Sequence, residues 1–231
     1  VTMAWLKDPE GPGHPKLGIT YRLLRKFNRS LMSTWFRELD IVDNENMPHD
    51  GGIMFVAWHP SGLIDPVLLH ASLPGKLSIL AKHTLFKMPI LGRLFSAAGA
   101  LPIYRAVDTE DVEKAKEKNA IMLENVGNEI SNGGRLLLFP EGKTHSESNV
   151  HKAKTGAARI MLMALRNAEL NGKPRPNLIP VGLHYSNSQK FRERGAVILE
   201  RPMQLPAIPE DVDDETEQKI IDKEWISNVT N

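Results

Sequence analysis

The 231-residue sequence contains no cysteine, which excludes disulfide bonds, thiolate catalysis and cysteine-ligated zinc sites. This absence also fits a reducing compartment. No run approaches the roughly 20 consecutive apolar residues of a membrane-spanning helix. The first residues lack the pattern of a signal peptide. The net charge is only +1, so overall charge does not indicate a nucleic-acid partner.

The composition is that of a globular protein, with 41% hydrophobic and 25% charged residues. Short apolar runs alternate with helical patterns of about 10 to 20 residues. This order predicts an α/β fold whose central mixed, mostly parallel sheet is covered by helices on both faces. We expect strands over 53–57, 77–81, 101–104, 136–139, 178–183 and 196–199, and helices over 17–39, 66–73, 82–95 (interrupted near Pro89), 109–132, 153–170 and 215–229.

Three segments are expected along the chain. Residues 1–39 form a lead-in and an amphipathic helix, 40–205 form one domain, and 206–231 form an acidic C-terminal segment. No internal repeat or linker interrupts 40–205. The start at Val1 and the polar end are compatible with a fragment of a longer protein.

The predicted helix over 17–39 has the features of a membrane-interface helix, because a stripe with Trp and Phe lies beside several basic residues. The alternative is an ordinary surface helix whose apolar stripe packs on the domain. If the helix binds a membrane, we expect the headgroups to contact Arg22, Arg25, Lys26 and Arg29, and the acyl region to contact Phe27, Leu31, Trp35 and Phe36.

A histidine follows the predicted strand over 53–57. Pro60 cannot continue a strand and favours an extended conformation at His59. A turn then leads to Asp65, close enough in sequence to fold back onto His59. A carboxylate that accepts one ring N–H leaves the other nitrogen free to act as a general base. The same spacing also fits a structural turn with a helix N-terminal charge.

Polar side chains follow other predicted strands too: Arg105, Glu141 and His184. Each has an ordinary explanation, as a surface ion-pair partner, a turn residue and a satisfied core histidine. Ligands of open α/β sheets, however, bind beyond the ends of the strands. The shared position of these residues therefore favours a functional site at one edge of the sheet.

Three common motifs do not fit. Gly142 and Lys143 resemble the end of a P-loop, but that loop requires glycine where Leu137 stands. The residues around Ser61 do not match the G-x-S-x-G nucleophile elbow. Neither the helical H-E-x-x-H pattern nor a comparable metal-ligand spacing occurs.

Four ordered blocks of the sequence resemble the glycerophospholipid acyltransferases, a family that includes glycerol-3-phosphate and lysophosphatidic acid acyltransferases. Segments 46–48 and 82–89 are also similar to the family. The blocks are His59 with Asp65; Gly99, Ile103 and Arg105; Phe139-Pro140-Glu141-Gly142; and Ile179-Pro180-Val181-Gly182.

Two departures make the chain more similar to the glycerol-3-phosphate acyltransferase subgroup. Five residues separate His59 from Asp65, where most members have four, and Asp65 is followed by proline. The third block continues with Lys143-Thr144-His145-Ser146 instead of the usual Thr-Arg-Ser.

The resemblance implies transfer of a fatty acyl group from acyl-CoA or acyl carrier protein to glycerol 3-phosphate or a related glycerophosphate. Alternatives are a lysophosphatidic acid acyltransferase, a noncatalytic lipid- or carrier-binding domain, and an acyl thioester hydrolase. It further implies no cofactor, no metal and no nucleic acid, and a peripheral position on the cytoplasmic side of a membrane. His59 and Asp65 would be catalytic, and the substrate would be bound by Arg105, Glu141, Gly142, Lys143 and Lys154.

Overall fold

The computed structural model describes residues 5–8, 17–104, 108, 111–141, 153–187, 190–210 and 215–230. These ranges contain the strands β1 (Glu38–Val42), β2 (Ile53–Ala57), β3 (Leu77–Lys82), β4 (Ala100–Ile103), β5 (Arg135–Leu138), β6 (Asn177–Tyr185) and β7 (Arg194–Leu199). Their helices are α1 (Ile19–Trp35), α2 (Ile64–Ser72), α3 (Leu91–Ala97), α4 (Val112–Ser131), α5 (Gly156–Leu170) and α6 (Glu215–Thr230).

The strands form one sheet in the order β1-β7-β6-β2-β5-β3-β4. The five strands from β6 to β4 are mutually parallel, whereas β7 is antiparallel to β6 and parallel to β1. The carboxyl ends of the five parallel strands therefore meet at a single border, which we name the carboxyl edge. The predicted mixed, mostly parallel sheet is confirmed.

Helices cover both faces of the sheet. One core lies between the sheet and the pair α1 and α2, and the other lies between the sheet and α4, α5 and α6. In β2, Met54 belongs to the second core and its neighbour Phe55 to the first, and both are 0% exposed. Successive side chains of a strand point to opposite faces. A strand buried on both faces therefore shows the continuous apolar run seen at 53–57.

The predicted helix over 17–39 is too long. It ends at Trp35, the backbone of Phe36 is extended, and residues 38–42 form β1. The side chains of Phe36 and Leu39 are buried in the first core, and β1 pairs with the distant strand β7. Burial of these two residues and pairing with β7 therefore decide the conformation after Trp35, although the apolar residues there recur at helical spacing.

The prediction of which side chains contact a membrane is also partly wrong. Arg25 is 3% exposed and forms an ion pair with Asp8, and Phe36 is 1% exposed. Arg29 donates a 2.9 Å hydrogen bond to the carbonyl of Ala71. These residues attach α1 to the domain and face inward.

The segment over 82–95 is interrupted near Pro89 as predicted, but its first part is a 3-10 turn at His83–Lys87 and only the short α3 is an α-helix. The other predicted elements are present, with ends shifted by at most three residues.

Candidate active site

The turn after β2 brings His59 and Asp65 into contact. His59 Nδ1 and Asp65 Oδ2 are 2.8 Å apart, and we assign the hydrogen to Nδ1 because a carboxylate accepts hydrogen bonds. The backbone N–H of Ser61 donates to the same oxygen at 2.7 Å. Gly62 has a φ of 58°, a left-handed conformation that lets the chain reverse before α2. Asp65 then lies in the first turn of α2 with a fully buried side chain.

Tyr185 contacts the other oxygen of the same carboxylate. Its hydroxyl donates to Asp65 Oδ1 at 2.7 Å, and its ring stacks on Phe36 with the centroids 5.7 Å apart. Burial raises the pKa of Tyr185, and the charge of Asp65 and this hydrogen bond raise it further. The phenol therefore remains a donor, and both carboxylate oxygens of Asp65 accept hydrogen bonds.

The ring of His59 is held from two directions. Its edge bonds to Asp65, and its face stacks on Phe139 with the centroids 4.1 Å apart and the planes at 20°. Its second nitrogen, Nε2, makes no hydrogen bond within the described ranges, and the side chain is 17% exposed. The arrangement leaves Nε2 available to take a proton from a substrate.

Two other predicted site residues lie beyond the end of β5, the strand next to β2. Glu141 is 5% exposed, and the backbone N–H of Lys154 donates to the carbonyl of Pro140 at 2.8 Å. This bond places the start of α5 next to the end of β5. Lys154 is exposed, so its ammonium group is accessible to a substrate.

Arg105, Gly142 and Lys143 lie outside the described residues. The residue before Arg105, Tyr104, is attached to Asn119 by a pair of hydrogen bonds of 2.9 and 2.6 Å between its backbone and the Asn119 amide. Tyr104 is therefore fixed at the carboxyl end of β4.

A cavity of about 460 Å³ lies beside the ends of β3 and β4. The ring of His83 stacks on that of Tyr104 at its wall, with the centroids 4.7 Å apart. Three lysines, Lys87, Lys114 and Lys118, and one carboxylate, Asp111, also line this cavity, so cations outnumber anions there. The excess of ammonium groups over carboxylates favours an anionic group in this cavity.

His184 is not a buried core histidine, one of its two interpretations, because its side chain is exposed. Its neighbour Tyr185 is the residue that bonds to Asp65, since successive strand residues face opposite ways. The sequence pattern predicts that this strand ends at residue 183, whereas β6 continues to Tyr185.

Within the described ranges, groups of three or more His, Asp and Glu side chains suited to a metal ion are absent.

Residues 38–184 match the model of the Acyltransferase family. The chain belongs to this family. The resemblance seen in the four sequence blocks is thereby confirmed at the level of the Acyltransferase family.

The relatives to which this chain is similar are named for different acyl acceptors. The chain is 27% identical over 156 residues to a chloroplastic 1-acyl-sn-glycerol-3-phosphate acyltransferase of Brassica napus, across 64% of this chain and 42% of the relative. A counterpart from Arabidopsis thaliana is 26% identical, with 64% and 41% covered. Glycerol-3-phosphate O-acyltransferase 1 of Saccharomyces cerevisiae is 27% identical over 92 residues, or 40% of this chain and 12% of the relative. The chain thus spans less than half the length of these relatives.

The fold of this Acyltransferase family member is similar to the crystal structure of the 1-acyl-sn-glycerophosphate (LPA) acyltransferase PlsC from Thermotoga maritima. The TM-score is 0.55 at 18% identity, with 91% of this chain and 78% of the other covered. At this identity the similarity concerns the fold alone.

Proposed function

We propose that this chain transfers a fatty acyl group from an acyl thioester to the free hydroxyl of lysophosphatidic acid. The observation that carries the proposal is the bonded pair of His59 and Asp65, with Nε2 of His59 facing outward at the carboxyl edge. The sequence departures favour glycerol 3-phosphate as the acceptor. The plant relatives, which match a larger share of this chain than the yeast relative does, favour lysophosphatidic acid instead.

In the proposed reaction, Nε2 of His59 removes the proton of the acceptor hydroxyl as its oxygen attacks the thioester carbonyl carbon. A new C–O ester bond forms and the C–S bond breaks, and the imidazolium returns the proton to the departing thiolate. Asp65 stabilises the imidazolium and holds the ring in the orientation that exposes Nε2. No acyl-enzyme intermediate is required, because the hydroxyl attacks the thioester directly.

The acceptor also carries a phosphate, which needs cationic partners at the same edge. Arg105 is the first candidate by resemblance, because its guanidinium can form paired hydrogen bonds with phosphate. Lys154, two residues before α5, is a second candidate, and Gly142 and Lys143 are candidates by resemblance. The lysine-lined cavity beside β4 supports the view that this side of the edge accepts anions. Glu141 is a candidate partner for a glycerol hydroxyl.

The second candidate acceptor is glycerol 3-phosphate. It is supported by the yeast relative and by the five-residue spacing between His59 and Asp65, which is typical of the corresponding subgroup. Both acceptors present a hydroxyl and a phosphate, so the same base and the same cations would serve either one. They differ in the acyl chain that lysophosphatidic acid already carries.

The experiment compares acceptors at a fixed donor. The purified protein is incubated with acyl-CoA, or with acyl carrier protein, in the presence of lysophosphatidic acid, of glycerol 3-phosphate, or of neither. Phosphatidic acid formed from lysophosphatidic acid, with thiol release that requires the acceptor, supports the proposal. Faster transfer to glycerol 3-phosphate favours the second candidate. Equal thiol release without an acceptor indicates a hydrolase, and donor binding without turnover indicates a noncatalytic domain.

A further inference from the structure

The cavity beside the ends of β3 and β4 is separate from the candidate catalytic pair. Its walls include His83 and Tyr104, which directly follow β3 and β4, whereas His59 lies beyond β2. The strand order is β2-β5-β3-β4, and neighbouring strands lie about 4.8 Å apart, so roughly 10 to 14 Å separate the cavity from His59 along the carboxyl edge. The proposed acceptors carry their phosphate only a few bonds from the reacting hydroxyl. That phosphate would therefore lie nearer to His59 than this cavity does.

The size and the lining of the cavity suit a nucleotide better than a lone phosphate. Its volume of about 460 Å³ falls within the roughly 300–1,000 Å³ typical of small-molecule sites. The rings of His83 and Tyr104 stack at its wall with their planes at 22°, and Phe86 also lines it. Aromatic rings of this kind bind nucleic-acid bases by stacking.

The three lysines of the cavity are available to bind phosphate. Lys87, Lys114 and Lys118 are exposed, and none forms an ion pair with a carboxylate of the described residues. The Nζ atom of Lys118 lies 4.9 Å from the centroid of the Tyr104 ring, so a cation and an aromatic ring share one wall. Phosphates and a base could therefore be bound side by side.

The start of α4 adds to the attraction for anions. Lys114 and Ala115, in the first turns of this 20-residue helix, both line the cavity. The N-terminus of a helix carries partial positive charge and favours phosphate groups. Asp111, the single carboxylate of the lining, is the N-cap residue and accepts a 2.9 Å hydrogen bond from the backbone N–H of Lys114. Its presence is thus explained by the helix itself.

His83 supplies an independent indication of a ligand. The residue is 9% exposed, and its Nδ1 atom is buried without a hydrogen-bond partner in the described part of the chain. Buried polar atoms nearly always have a partner, because leaving one unpaired is unfavourable. Since the ring lines the cavity, a molecule bound there can provide the missing partner.

We propose that this cavity binds the nucleotide part of coenzyme A, which carries an adenine, a 3′-phosphate and a diphosphate. The lysines bind the phosphates, and the aromatic rings contact the adenine. The pantetheine arm then extends along the carboxyl edge and brings the thioester to Nε2 of His59. This inference rests on the proposed function and deepens it, because it selects acyl-CoA as the donor. The prosthetic group of acyl carrier protein contains the same arm but no nucleotide.

The first test measures binding of adenosine 3′,5′-bisphosphate to the full chain by isothermal titration calorimetry, without acyl donor or acceptor. We expect binding that weakens as salt is raised. The variant Lys114→Gln/Lys118→Gln should weaken it by about tenfold or more, because charge-assisted contacts are lost. The matched control, Lys76→Gln/Lys173→Gln, removes two exposed lysines that precede β3 and β6 at the opposite edge and should bind normally.

The second test separates the donor from the acceptor in the transfer assay. Lys114→Gln/Lys118→Gln should raise the KM for acyl-CoA by about tenfold or more and leave the acceptor KM unchanged. The KM for acyl-pantetheine, a thioester without the nucleotide, should be the same in the variant and the unmodified protein. His83→Phe, which keeps a ring beside Tyr104 and removes Nδ1, should also weaken binding of the nucleotide.

Several outcomes would overturn the proposal: no binding of adenosine 3′,5′-bisphosphate, binding unaffected by Lys114→Gln/Lys118→Gln, or an equal loss in the control. Glycerol 3-phosphate that binds more tightly than the nucleotide, and loses affinity in the same variant, would assign the cavity to the acceptor instead. Transfer from acyl carrier protein alone would refute the choice of donor. Nucleotide binding without any acyl transfer would contradict the proposed function and leave the nucleotide site supported.

Discussion

The hydroxyl of Tyr185 donates a 2.7 Å hydrogen bond to Asp65 Oδ1, while His59 Nδ1 and the Ser61 backbone N–H bond to Oδ2. Asp65 is fully buried, so its negative charge depends on these donors for stabilisation. Each donor also competes for the electron density that the carboxylate offers to the imidazole. Tyr185 is therefore positioned to moderate how strongly Asp65 holds a proton on His59.

Replacing Tyr185 by phenylalanine tests this relationship, because the ring that stacks on Phe36 is retained and only the hydroxyl is lost. Without this donor the carboxylate attracts a protonated His59 more strongly. We expect the acid limb of the kcat/KM profile to move to higher pH by about half a unit or more. The buried Oδ1 also loses its partner, which should lower the free energy of unfolding by about 1–3 kcal/mol.

The matched control for this variant is Tyr104→Phe. Tyr104 also lies at the carboxyl edge, and its ring stacks on His83 instead of reaching Asp65. The Tyr104→Phe variant should leave the acid limb of the kcat/KM profile unchanged, even if its affinity for substrate changes. An acid limb that is the same in Tyr185→Phe and the unmodified protein would limit Tyr185 to a structural role.

Replacing His59 by alanine should remove the general base while preserving the fold. The ring is 17% exposed and contacts Asp65 and Phe139, so the variant should lose some stability, as Tyr185→Phe does, and keep the fold. We expect kcat to fall by about 10²- to 10⁴-fold, measured with saturating acyl-CoA and acceptor. His184→Ala, which removes an exposed histidine from β6, is the control and should keep full activity. Near-normal kcat in His59→Ala would show that another group takes the proton.

The local part of this site could be predicted from the sequence. The contact between His59 and Asp65 depends on residues close in sequence: the apolar run of β2, Pro60 and the short spacing to Asp65. Its geometry therefore follows from neighbouring residues. Tyr185 could not be predicted, because it contacts Asp65 across 120 positions and lies in a strand that extends beyond its apolar core. Phe139 likewise reaches His59 only because β5 pairs with β2.

The orientation of α1 and the strand β1 could likewise not be predicted from local sequence. Helical spacing revealed two faces of α1, but it could not tell which face packs on the domain. Contacts of Arg25 with Asp8 and of Asn28 with His70 decide that orientation, and both depend on the tertiary structure. The edge strand β1 was missed because a five-residue strand with a single buried residue has almost no pattern of its own.

Arg105→Ala tests recognition of the acceptor phosphate, which the family resemblance assigns to this residue. Loss of charge-assisted hydrogen bonds should raise the acceptor KM by about 10- to 100-fold and leave the acyl-donor KM nearly unchanged. Steady-state kinetics with each substrate varied in turn separates the two. Arg201→Ala is the control, because this exposed arginine follows β7 at the opposite edge of the sheet. Equal increases in both KM values would argue for a role in folding or in donor binding.

The last prediction concerns acid stability and His70, which is 1% exposed beneath α1. Burial lowers the pKa of His70 to about 4, and the charges of Arg25 and Arg29 add to this effect. The folded protein therefore keeps the ring neutral, whereas the unfolded chain takes up a proton below its ordinary pKa of 6.5. Stability from this group is fully present above pH 6.5 and is lost as pH falls towards 4.

Between pH 7 and pH 5 this difference should lower the free energy of unfolding by about 2 kcal/mol. His70→Gln removes the titrating group and keeps an oxygen that can accept from Asn28, so its stability should fall less over this range. Urea unfolding at the two pH values gives the comparison, with His184→Gln as the control that replaces an exposed histidine. The same loss of stability in His70→Gln as in the unmodified protein would assign the acid sensitivity to other groups.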